Sequence, residues 1–183
     1  GEAGFTVDAR LDATRNGMME AIERFGAAIR RPEIRQVVFY YAGHGVQLDW
    51  RNYLLPVDAV VDSADQVKQR CIDLNQLLLQ LGAARDKTFI IILDACRNNP
   101  FRSFSRSDEK GITRMDPPQG AKQGAIIAFA TAPGAVASDG ESRNGLYTSK
   151  LLKYINSPGL TLEEVFKKAR IDVLNESAGL QIP

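Results

Sequence analysis

The 183 residues, 44% hydrophobic and 25% charged, fit one globular domain able to bury a sizeable core. Lys and Arg number 23 against 22 Asp and Glu, a formal charge of +1 that gives no electrostatic reason to expect a nucleic-acid or anionic-membrane partner. No apolar run approaches the roughly 18 to 20 residues that span a bilayer, and two cysteines with one histidine cannot complete a Cys/His zinc site unless Asp or Glu joins them. The N-terminus lacks the basic-then-apolar layout of a signal peptide, so a reducing, cytoplasmic setting is expected.

In chain order, GFTV at 4 to 7 reads as a minimal first strand. Met18, Ile22, Phe25 and Ile29 form a helical stripe that Pro32 stops, and VVFYY at 37 to 41 is a short, strand-like run. RNYLLPVDA from 51 suggests an edge strand or hairpin ended by Pro56. Asp73 and Gln76 resemble a capping box ahead of a helix with Leu74, Leu77, Leu78 and Leu81 on one face and Gly82 as its stop. FIIIL at 89 to 93 and AIIAFA at 125 to 130 are too apolar for a sheet wetted on either face. Two helices close the chain: Leu146 to Ile155, then TLEEVFKKARIDVL, where Thr161 and Glu164 form a capping box. The alternation of helical and strand periods is an α/β signature.

Two strand-like runs end in reactive residues. VVFYYAGHG puts His44 just past one and FIIILDAC puts Cys96 just past another. Ligands of open parallel sheets bind outside the carboxyl ends of strands, so if these strands are neighbours His44 and Cys96 meet. A histidine beside a thiol can take its proton, and His44 is the only imidazole in the chain. Gly43 and Gly45 permit a tight turn and close substrate approach, and the N–H of Gly45 with that of Cys96 would make an oxyanion hole. Cys71, in the polar stretch KQRCID, reads as structural.

YYAGHG followed by LDAC resembles the caspase and metacaspase clan of cysteine peptidases, and RNYLLPVDA and LDACRNNPF resemble its bacterial caspase-like (orthocaspase or metacaspase-like) members. AFATAPGAVASDG and NGLYTSKLL correspond to the small-subunit part of that fold, so the likeness spans nearly the whole chain. It implies a caspase-like three-layer sandwich with a mostly parallel central sheet flanked by helices. One peptidase domain would divide into a large-subunit-like part at about 1 to 100, a connecting loop at 97 to 124 and a small-subunit-like part at 125 to 183.

The resemblance also implies roles. His44 and Cys96 match the catalytic dyad, Gly45 an oxyanion donor, and Asp94 the carboxylate that selects Arg or Lys before the scissile bond. Ala42 and Asp139 are further candidates for the substrate pocket. Peptides and proteins would be the substrates. Arg102, Arg106, Lys110, Arg114 and Lys122, in the loop where the family's two parts meet, would be self-cleavage sites.

Three departures from the family carry expectations of their own. Just after the histidine motif, the stretch VQLDWRNYLLPVD offers only Asp49 and Asp58 as acids, so no metal is expected and the enzyme would be calcium-independent. The family's first strand and helix are absent ahead of GFTV; that central strand is either missing from the sequence or supplied by a separately cleaved N-terminal segment of the same protein. Nothing matches the basic pocket with which caspases proper hold a substrate Asp.

Two rival readings remain. Cys96 to Ser103 also has the C-x5-R-S spacing of cysteine phosphatases, but Pro100, Phe101 and the Ser, Arg and Gly-rich continuation show no helical stripe to cradle phosphate, and YAGHG is left unexplained. A non-catalytic interaction module on a caspase-like scaffold is the other, against which both dyad residues count.

Overall fold

The computed structural model describes residues 4–96, 115–118, 121, 124–132 and 144–183, with Cys96 described by its backbone. The described helices are α1 (Arg15–Ile29), α2 (Ala64–Arg70), α3 (Leu74–Gly82), α4 (Leu146–Ile155) and α5 (Leu162–Glu176). The described strands are β1 (Gln36–Leu48), β2 (Arg51–Leu54), β3 (Ile72–Asp73), β4 (Thr88–Cys96) and β5 (Ala125–Phe129). They form a single sheet in the order β3-β2-β1-β4-β5. β1, β4 and β5 run parallel, while β2 and β3 add an antiparallel edge.

Side-chain alternation on β4 explains why it is apolar throughout. Phe89, Ile91, Leu93 and Ala95 point into a core with Ile22 and Ile29 of α1 and Leu74, Leu77 and Leu81 of α3. Ile92 points the other way, into a core with Leu146, Tyr147 and Leu151 of α4 and Val165, Ala169 and Val173 of α5, against which Val38 and Ile90 also pack. Helices thus cover both faces, the three-layer α/β arrangement expected from the alternating periods.

β1 is the pivot of the sheet. Its first part, residues 36–44, pairs with β4, and its last, residues 45–48, turns away to pair with β2. Asp49 and Trp50 join β1 to β2 in a two-residue hairpin, with φ of 50° and 62° in the left-handed region that such turns demand. Among the described residues, no strand pairs with residues 36–44 on the side away from β4.

Several local expectations are corrected. GFTV is not a strand: residues 4–14 are irregular, and Val7 is 70% exposed. Asp73 does cap α3, but its carboxylate accepts from the N–H of Asn75, two residues on. Gly82 is the last helical residue rather than a left-handed stop, and Ala83 ends α3 with its N–H bonded to the Leu79 and Leu81 carbonyls. The capping box of Thr161 and Glu164 is formed.

Candidate active site

His44 lies inside β1 rather than beyond it, at the last position that pairs with β4 before the strand diverges to β2. Cys96 is the final residue of β4. The register sets the two against each other, His44 opposite Cys96, with Ala42 opposite Asp94 two residues earlier. All four positions are at the carboxyl end of the parallel strands, where the backbones splay and a ligand can enter. His44 and Ala42 are exposed, Gly45 is buried and Asp94 is half-buried.

The His44 backbone is held from two directions. Its carbonyl accepts from the N–H of Leu55 at 2.9 Å and from the Tyr41 hydroxyl at 2.8 Å. The same Tyr41 oxygen lies 3.1 Å from the carbonyl of Leu55, so the phenol ties the histidine to the strand it crosses. Burial pushes the Tyr41 phenol up, keeping its proton on the oxygen. This tie explains Gly43: its φ is +154°, and a Cβ there would stand 2.7 Å from the Tyr41 oxygen. Because the Leu55 bond turns the polar groups of His44 towards β2, those of Gly45 face the opposite side, towards β4.

Asp94 belongs to a polar cluster on the α4 side of the sheet. The Thr148 hydroxyl, in the first turn of α4, donates to its Oδ2, and the Tyr40 oxygen is 2.7 Å from the same hydroxyl. The Tyr40 phenol is raised, first by burial and then by the charge of Asp94, with Thr148 acting in the opposite sense. Tyr147 is raised as well, by burial and then by Asp94.

Cys71 is elsewhere, 2% exposed beneath the β1–β2 hairpin with Val46, Tyr53, Val61 and Val67. Burial pushes its thiol up to about 11, despite the opposing charge of Arg15, so it stays neutral and inert near pH 7. Asp49 is 2.6 Å from Lys68, and Asp58 accepts from the N–H of Arg15 at 2.9 Å. Among the described residues, no three His, Cys, Asp or Glu side chains gather where they could hold a metal ion. Asp139, Arg102, Arg106, Lys110, Arg114 and Lys122 lie outside the described residues, as does the remainder of the C-x5-R-S segment beyond Cys96.

Sequence reasoning missed Tyr40, Tyr41 and Thr148. For Tyr41 a signal was present, since strand alternation sets it on the face of Gly43, two residues before the glycine it crowds. Thr148 sits 54 residues from Asp94, and only the packing of α4 over β4 reveals the contact.

None of the curated proteins compared with this chain matches it. The family model described as a caspase domain, of peptidase family C14, matches residues 1–183. The chain therefore belongs to the caspase-domain family of cysteine peptidases.

Proposed function

We propose that this domain is a cysteine endopeptidase that cleaves after Arg or Lys, with His44 as base and Cys96 as nucleophile. The observation that carries the reading is the β1–β4 register, which sets the only histidine against Cys96 at the open end of the parallel strands. His44 takes the thiol proton, the thiolate attacks the scissile carbonyl, and the imidazolium returns the proton to the leaving amine. Water, deprotonated by the same imidazole, then hydrolyses the thioester and regenerates the thiol. Gly45, whose N–H faces β4, and Cys96 are the oxyanion donors of this reading.

Asp94 supplies the preference for a basic residue. Its carboxylate stands two positions before Cys96 on the strand, and a substrate guanidinium beside it gains a charge-assisted contact that a neutral side chain lacks. Ala42, exposed and opposite Asp94, leaves room for that side chain, and Asp139 is a second acid for the same pocket. Arg102, Arg106, Lys110, Arg114 and Lys122 are sites for self-cleavage by such an enzyme. Calcium independence is part of the proposal, since Asp49 and Asp58, the carboxylates just after the histidine motif, are already engaged by Lys68 and by the backbone N–H of Arg15.

Peptide reporters that differ only in the residue before the scissile bond test the reading. The Arg and Lys reporters are expected to be cleaved with or without a calcium chelator, Cys96→Ala to be inactive, and His44→Ala to lose about 10²- to 10⁴-fold in kcat. Cleavage after Asp would sink the specificity, and undiminished cleavage by Cys96→Ala the mechanism.

A further inference from the structure

Asp94 cannot serve as a specificity carboxylate merely by being present, because a half-buried acid on a strand end can turn about its side-chain bonds or bond its own backbone instead. The structure shows what holds it, and counting protons fixes the sense of the chain. An ionised carboxylate only accepts, so the single hydroxyl proton of Thr148 is spent on Asp94 Oδ2. The Thr148 oxygen then has lone pairs alone to offer Tyr40, and Tyr40 must donate across the 2.7 Å that separates them. A one-way relay results, from the Tyr40 O–H to the Thr148 O–H to the Asp94 carboxylate, joining β1, α4 and β4.

Two further observations suit an anionic end. α4 carries no acidic residue in its own first turn, and Gly145 gives it no side-chain cap, so the helix itself supplies no anion to its positive N-terminal end. Thr148 belongs to that first turn and is 8% exposed, so its contact with Asp94 is partly withdrawn from water. Hydrogen bonds to charged groups in such surroundings are about twice as strong as neutral ones.

We infer that Thr148, itself oriented by Tyr40, is the positioning residue that aims the Asp94 carboxylate at the basic side chain of the substrate, and so sets how strongly this site prefers charged over neutral residues. The inference rests on the proposed role of Asp94 as specificity carboxylate and adds to it residues from α4 and the neighbouring strand. Thr148 and Tyr40 act through Asp94, so their effect belongs in the binding of the charged side chain and not in the chemical step.

The test uses a matched pair of reporters, with arginine or with citrulline, its neutral isostere, before the scissile bond. In Thr148→Val the arginine-to-citrulline ratio of kcat/KM is expected to fall about five- to tenfold, through KM, as loss of one charge-assisted bond implies. Thr148→Ser, which keeps the hydroxyl, should restore it. Tyr40→Phe, at a site 45% exposed and therefore tolerant, should lower the ratio about two- to threefold; it keeps the test available should Thr148→Val fold poorly. An equal fall for both reporters would mean a purely structural role and overturn the inference. If Asp94→Asn collapses the ratio while neither Thr148→Val nor Tyr40→Phe moves it, the role of Asp94 stands and the relay falls. If Asp94→Asn leaves the ratio unchanged, the specificity reading itself fails and the relay with it.

Discussion

At the scale of single residues, Gly43, Tyr41 and His44 act as one unit. The Tyr41 hydroxyl can reach the His44 carbonyl only because no Cβ stands at position 43, and that bond fixes where the imidazole begins. Tyr41→Phe removes one of two donors to the carbonyl, a loss of about 1 kcal/mol. It is expected to lower kcat on an arginyl reporter several-fold with KM little changed, and to lower the melting temperature by a few degrees. Cys71 gives a pH expectation. Its folded thiol titrates at about 11, above the roughly 8.5 of a free thiol, so the folded state holds that proton more tightly. The stability this contributes is complete below about pH 8.5 and drains away as pH rises towards 11. Urea midpoints of the wild type should therefore fall over that window more steeply than those of Cys71→Ala; parallel curves would contradict the assignment.

At the scale of elements, the most periodic segments were the most legible. The stripes of α1, α3, α4 and α5 and the apolar runs of β1, β4 and β5 all correspond to formed elements, because each must bury a whole face or both faces. α2 and β3 escaped notice because they offer too little pattern: α2 is seven residues long with Val67 its one buried side chain, and β3 is two residues long. GFTV misled in the other direction, since a short alternation has no meaning without a partner strand to pair it. α3 offers a stability test of the layer it builds. Leu77, fully buried, should cost about 2 to 5 kcal/mol when replaced by Ala, whereas Leu79→Ala, at a site 74% exposed, should stay within about 0.5 kcal/mol by urea unfolding. Equal costs would mean that α3 presents a different face to the sheet.

At the scale of the whole molecule, the divergence of β1 defines the site. One strand serves two neighbours in turn, β4 up to His44 and β2 from Gly45, and the pairing of His44 with Cys96 falls at the point of change. The sequence made His44 and Cys96 conspicuous as the lone histidine and a thiol after apolar runs, but their register depends on pairing between segments some 50 residues apart, which periodicity does not encode. The same pairing leaves the outer edge of residues 36–44 without a strand partner among the described residues. Strand alternation points the N–H groups of Val38, Tyr40 and Ala42 to that edge and those of Phe39 and Tyr41 to β4. Hydrogen exchange should therefore be faster at the former set in this chain; equal protection would show that another segment covers the edge.

The partnership of His44 with Cys96 is tested most directly by the pH dependence of Cys96 alkylation with iodoacetamide, read by peptide mass spectrometry in the wild type and in His44→Ala. The wild type is expected to react at Cys96 well below the roughly pH 8.5 at which a free thiol titrates, with Cys71 unmodified, and His44→Ala to lose that low-pH reactivity. Superimposable profiles for the two proteins would contradict the partnership.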